Sequence, residues 1–170
     1  ALTEDQRRVL REERMLSDEV IDQYELGVVE RHGERRVSIP IKDEAGTIRD
    51  VRLWLHPARR SEGASKIKSW GRGYGKAKLF PVDQLEHEKL LLCGGEREDL
   101  QTISNGIPAI TATCGEEVWS DEFSQRFRGK EVSIRLDHDD TGTKGTQKRA
   151  ESLVAHGATV SVPSWPADRP

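Results

Sequence analysis

The sequence predicts an α/β fold in which a parallel sheet flanked by helices follows a small, basic α+β subdomain. Three observations carry this. From residue 89 onward, short apolar runs alternate with helix-forming stretches of about ten residues, the pattern of right-handed βαβ units. Upstream, two β-branched runs at residues 36–41 and 47–55 flank Lys42-Asp43-Glu44-Ala45-Gly46, which reads as a hairpin with a Gly-containing loop. Asn105-Gly106 and His156-Gly157 stand where helices of such units should stop.

Taken in order, residues 3–22 are rich in charge and good helix formers, with Val9, Leu10, Met15, Leu16, Val20 and Ile21 as a buried stripe. Ser17-Asp18-Glu19 reads as a helix start, so two short helices are expected. After the hairpin, residues 56–78 show no period and combine glycines, cations, Trp70 and Tyr74, which reads as a mobile basic loop. The alternation then predicts strands at 89–93, 107–111, 132–136 and 158–162, with helices at 96–104, 120–127 and 144–156. Residues 163–170 hold three prolines and look like the beginning of a linker, so a fragment of a longer protein is expected.

Composition narrows the function. A chain of 170 residues can bury a sizeable core, and no apolar stretch approaches the roughly 20 residues of a spanning helix. Its first residues, Ala1-Leu2-Thr3-Glu4, do not read as a signal peptide. Two cysteines, Cys93 and Cys114, make no disulfide framework or zinc cluster, and both read as packing residues in a reducing cytoplasm. The net charge of −3 conceals an island: residues 59–78 carry seven Lys or Arg (Arg59, Arg60, Lys66, Lys68, Arg72, Lys76, Lys78) against Glu62 alone. A basic island on an acidic chain points to a polyanion partner.

The chemistry concentrates in Val132-Ser-Ile-Arg-Leu-Asp137-His138-Asp139-Asp140-Thr141-Gly142, where an apolar run delivers Asp137 and Asp139 to a turn leading into Lys144. In a parallel sheet every strand-to-helix loop opens on the carboxyl edge, so Gly94-Gly95-Glu96 and Asp137-His138-Asp139 can converge although about forty residues separate them. The two glycines are expected to let the first loop turn tightly, with Glu98 on the same side. Three or four carboxylates could then surround one or two hard divalent ions.

An acidic Gly-rich loop paired with a downstream Asp-x-Asp-x-x-Gly resembles the Toprim domain of primases, topoisomerases, RecR proteins and OLD-type nucleases. The resemblance rests on Leu90-Leu-Leu-Cys-Gly-Gly-Glu-Arg-Glu-Asp99-Leu, Asn105-Gly-Ile-Pro-Ala-Ile-Thr-Ala-Thr-Cys-Gly115 and Leu136-Asp-His-Asp-Asp-Thr-Gly142. Upstream, Leu16-Ser-Asp-Glu-Val-Ile21 with Leu26-Gly27, the hairpin, and Lys66-Ile-Lys-Ser69 through Lys76-Ala-Lys-Leu-Phe80 resemble the opening of DnaG-type primase catalytic cores. The similarity covers residues 14–165. It implies an N-terminal basic α+β subdomain over 1–82, a Toprim domain over 83–165 with its Toprim-type parallel sheet flanked by helices, and a tail over 166–170.

It also implies RNA primer synthesis on a single-stranded DNA template from ribonucleoside triphosphates, with Mg2+ or Mn2+ as cofactor and a helicase, fused or separate, as partner. Carried over residue by residue, Asp137, Asp139 and Glu98 would hold metal, and Glu96 and Glu98 would be catalytic. Lys66, Lys68, Arg72, Lys76, Lys78 and Lys144 would touch nucleic acid or nucleotide. One departure stands out: the family's first motif usually opens Glu-Gly, and here Gly94 fills the Glu position.

Plainer readings compete. Asp139 or Asp140 could simply cap the following helix, Glu96 to Asp99 could be an ordinary acidic first turn, and His138 is turned away from its neighbours by alternation. Trp54, Trp119 and Trp165 read as core or inter-subdomain contacts. A Toprim module that binds nucleic acid without chemistry and a Toprim nuclease are the alternatives within the resemblance. Asp137-x-Asp139-x-Thr141 also fits a haloacid dehalogenase-type phosphatase, but that enzyme needs further motifs and only 29 residues follow Thr141.

Overall fold

The computed structural model describes residues 2–31, 33–55, 63–71, 76–113, 115 and 118–164, which form two compact units, 1–76 and 77–170. The expected boundary after residue 82 moves to 76, because Leu79–Phe80 pairs with a strand of the second unit. Among the described residues no helix is long and apolar enough to cross a membrane.

The first unit opens with α1 (Glu4–Arg14) and α2 (Asp18–Gln23). Thr3 and Gln6 form a capping box on α1, Met15 ends it in the left-handed region, and the Ser17 hydroxyl caps α2 as its sequence requires. Arg11 donates to Asp18 at 2.9 Å and ties the two helices together. A four-stranded antiparallel sheet follows: β1 (Gly27–Arg31), β2 (Glu34–Lys42), β3 (Ile48–Trp54) and β4 (Ile67–Ser69), paired in that order. In the hairpin between β2 and β3, one Asp43 carboxylate oxygen accepts from the amides of Ala45 and Thr47, while Gly46 supplies a φ of 75°. β1 and β4 depart from the sequence expectation. Residues 67–69, expected inside a mobile loop, are a strand because Arg52, Leu53 and Trp54 offer them an antiparallel edge.

The second unit runs β5 (Leu79–Phe80), a 3-10 turn (Val82–Glu86), β6 (Lys89–Cys93), α3 (Glu96–Ser104), β7 (Ala109–Ala112), α4 (Asp121–Gln125), β8 (Glu131–Arg135), α5 (Asp140–Ala155) and β9 (Thr159–Ser161). The sheet order is β5-β7-β6-β8-β9, parallel except for β5. Leu92, Ile110, Val132 and Ile134 from the strands and Phe127 and Leu153 from the helical side form its core. Burying each such side chain stabilises the fold by about 1.5–3 kcal/mol before conformational entropy is set against it. α5 begins four residues earlier than its apolar period suggests, because Asp139 caps it. Successive connections run in opposite directions, first from β6 to β7 and then from β7 back past β6 to β8. The carboxyl ends of β6 and β8 therefore lie side by side at the switch point where open α/β sheets hold ligands.

Candidate active site

β6 and β8 pair in parallel through Cys93↔Arg135, so the Gly94-Gly95 loop and Leu136-Asp137 leave the same rim on adjacent strands. This is the convergence expected from the sequence. On the β8 side Asp137, His138, Asp139 and Asp140 are all exposed. The Gly142 amide donates to Asp139 Oδ1 at 2.7 Å, and the Thr143 amide donates to the Asp139 carbonyl at 2.9 Å. Asp139 is thus the N-cap of α5, the plainer role, and keeps its second carboxylate oxygen for another use. The α5 backbone passes very close to Asp137: a methyl group on Gly142 would lie 2.0 Å from the Asp137 carbonyl oxygen. Glycine at this place sets the position of the first aspartate.

On the β6 side the arrangement differs from expectation. Gly95 is extended, with φ −166° and open space around its Cα, so the turn does not demand glycine there. Glu96 and Glu98 stand two apart on α3 and so face different ways: Glu96 is buried, while Glu98 is half-exposed and accepts from Arg97 at 3.1 Å. Asp99, three residues after Glu96, shares its buried face and is fully enclosed. Burial pushes the Asp99 carboxyl well above the usual carboxylate range, and Glu96 and Glu98 add to the rise, while Arg149 opposes it. Burial, followed by the charge of Asp99, likewise pushes the Cys93 thiol up, which makes it a packing residue and not a nucleophile. No nitrogen or oxygen donor among the described residues reaches either Asp99 oxygen.

Arg149, also fully buried, comes from α5, donates to the Gly115 carbonyl at 3.3 Å and lies 5.0 Å from the Trp119 ring centre. Sequence reasoning left Asp99 open between a site role and an ordinary acidic first turn, and missed Arg149, because nothing in a charged helical run tells which charges turn inward. Gly142 was visible in the Asp-x-Asp-x-x-Gly motif, but not its role.

Among the described residues no three His, Cys, Asp or Glu side chains are grouped to hold a metal, so the expected cage of three or four carboxylates is not preformed. The donor chemistry still fits a magnesium-like ion. Such an ion takes one or two carboxylates and completes its shell with water and phosphate oxygens, and the exposed Asp137 and Asp139 supply hard oxygens at a ligand-binding rim.

The basic residues divide between the units. Lys66 and Lys68, beside and within β4, are exposed, and Lys68 donates to Glu34 at 3.2 Å. Lys76 is exposed at the end of the first unit, Lys78 is half-buried in the second, and Lys144 is exposed in the first turns of α5. Arg72, Tyr74, Cys114 and Trp165 lie outside the described residues, while Trp54 and Trp119 are buried as expected.

No family model and no curated protein sequence matches the chain. Solved structures do. The zinc-binding and RNA polymerase domains of the Aquifex aeolicus primase superpose with a TM-score of 0.72 at 16% identity, over 98% of this chain and 51% of that one. The chain has the fold of a primase catalytic core. The primase fragment of the bacteriophage T7 primase-helicase protein shares it with a TM-score of 0.67 at 17% identity, over 91% of this chain and 63% of that one. A DnaG primase catalytic domain bound to ssDNA gives a TM-score of 0.70 at 18% identity, over 96% and 66%. The chain therefore spans about half to two thirds of the primase structures it matches.

Proposed function

We propose that the chain is the catalytic core of a DNA primase, a nucleotidyltransferase that makes RNA primers on single-stranded DNA. The observation that carries this reading is the pair of adjacent parallel strands, β6 and β8, delivering acidic residues to one rim at the switch point of a primase-core fold. Asp137 and Asp139 would hold Mg2+ or Mn2+, which when bound orients the triphosphate and offsets the charge that develops on phosphorus. Glu98, nearest to solvent among the α3 acids, would join them through its side chain or a water. Glu96 is buried and suits a role in orienting its neighbours better than direct proton transfer. Lys144 would face the triphosphate, and Lys66 and Lys68 the template phosphates. A helicase partner fits the T7 relative, which is a primase-helicase.

The test is primer synthesis by the chain, or by a longer protein containing it, on single-stranded DNA with ribonucleoside triphosphates and Mn2+. Asp137→Asn should abolish synthesis while leaving template affinity largely intact, and full activity in that variant would refute the assignment. Lys66→Ala with Lys68→Ala should weaken single-strand binding and flatten its salt dependence, because fewer counterions are released. Unchanged affinity and slope remove both lysines from the footprint.

A second reading, a primase-fold module that binds nucleic acid without chemistry, is favoured by Gly94 in the usual Glu position and by the ungrouped carboxylates. Template binding with no synthesis under any divalent metal would select it.

A further inference from the structure

Three tryptophans fall among the described residues, and they differ in one respect: Trp54 and Trp119 are buried, whereas Trp70 is 42% exposed. It follows β4 directly, the strand that carries Lys68 and is preceded by Lys66. The exposed part of this indole forgoes burial that would stabilise the fold, so what holds it at the surface needs a reason.

Beneath β4 lies a polar relay. Asp50 and Arg52 occupy alternate positions of β3 and are 1% and 6% exposed. A buried acid and base gain little over an apolar pair once desolvation is counted, and these two stand 3.9 Å apart, loose for an ion pair. The Ser69 hydroxyl fills the space between them. It accepts from Arg52 Nη1 at 2.7 Å and donates to Asp50 Oδ2 at 3.0 Å. The other Asp50 oxygen accepts from the Val51 amide at 2.7 Å, and the Val51 carbonyl accepts from the Trp70 amide at 2.9 Å. Arg52 and Ser69 are direct cross-strand partners. Trp70 is therefore fixed at its own amide and, one residue earlier, through the hydroxyl. At the other end of β4 the buried Arg36 donates to the carbonyls of Leu53 and Ser65 at 3.0 and 2.9 Å. A three-residue edge strand has few ladder bonds of its own; here its flanks are pinned from below.

We infer that Asp50, Arg52 and Ser69 are positioning residues that preset Trp70 as a stacking platform for a base of single-stranded nucleic acid, close in sequence to Lys66 and Lys68, the lysines proposed to meet template phosphates. The inference rests on the proposed nucleic-acid role of β4 and deepens it. Stacking is tolerant of base identity and depends on the ring being held in place, whereas phosphate contacts by flexible lysines do not. The relay thus governs the base-dependent part of affinity and leaves the charge-dependent part alone.

The experiment compares anisotropy titrations of a labelled oligo(dT) and an abasic oligomer of equal length with the wild-type chain, Ser69→Ala, Ser69→Thr and Trp70→Ala. Expected is a loss of about fivefold or more for oligo(dT) in Ser69→Ala and Trp70→Ala. Abasic affinity and salt slope should stay unchanged, and Ser69→Thr, which keeps the hydroxyl, should restore binding. If Trp70→Ala loses base-dependent affinity and Ser69→Ala does not, the relay is structural only and the inference fails while the surface stands. Equal loss on both oligomers in Ser69→Ala also overturns it. If the wild-type chain prefers oligo(dT) to the abasic oligomer no more than Trp70→Ala does, or binds neither, the stacking surface and the inference fall together.

Discussion

Gly142→Ala separates helix propensity from site geometry. Gly142 lies in the first turn of α5, where replacing glycine by alanine in a helix would by itself add up to about 1 kcal/mol of stability. Here the added methyl would lie 2.0 Å from the Asp137 carbonyl oxygen, 2.8 Å from its carbonyl carbon and 3.0 Å from its amide nitrogen. These are backbone atoms of the rim and not the tip of a side chain, so either α5 or Asp137 must retreat by roughly 1 Å or more. Overpacking of this kind costs typically 1–3 kcal/mol, and contact this close with backbone belongs at the upper end. The expected net result is a loss of about 2 kcal/mol in urea unfolding with the m-value unchanged. Because the displaced group is Asp137, and Asp139 accepts the capping hydrogen bond from Gly142 in the same turn, a shift of about 1 Å should also lower primer synthesis on the order of a hundredfold. A Gly142→Ala chain at least as stable as wild type would show that the close approach does not exist and would refute the reasoning.

Asp139 serves two roles that two substitutions can separate. Asp139→Ala should lose about 1 kcal/mol of stability with the cap of α5, while Asp139→Ser, whose hydroxyl still caps, should unfold near the wild-type midpoint. Neither should support metal-dependent synthesis. Full activity in the serine variant would take Asp139 out of the metal site, and equal stability of both variants would deny the cap. Glu34 gives a pH prediction. Hydrogen bonds from Arg36 and then Lys68 hold its carboxyl below the usual carboxylate range. A lowered folded-state value means that its stabilisation is present above the unfolded-state pKa and disappears as pH falls through the folded one. Glu34→Gln should therefore narrow the fall in Tm between pH 7 and pH 3; an unchanged profile would mean that the ion pairs contribute nothing measurable.

The sequence by itself determined the elements whose signals are local. β6 and α3 begin and end where the apolar run, the acidic first turn and Asn105-Gly106 place them, and Ser17 caps the helix its side chain announces. Strand and helix alternation also dictates that β6 and β8 open on one edge, which is why Asp137 and the Gly94-Gly95 loop could be brought together from residue order alone. What needed the tertiary structure was everything that depends on a partner remote in sequence. β4 and β5 are too short to show a period, β1 has only Val28 and Val29 as an apolar signal, and all three exist because a neighbouring strand offers an edge. Whether a charge in an acidic helix turn meets solvent or the core is decided by what packs on that helix. Thus Glu98 lies half in solvent, while Glu96, Asp99 and Arg149 are enclosed. A hydrophobic period records which residues can be buried at no cost; it is silent about charged ones, whose burial depends on neighbours that only the folded chain supplies.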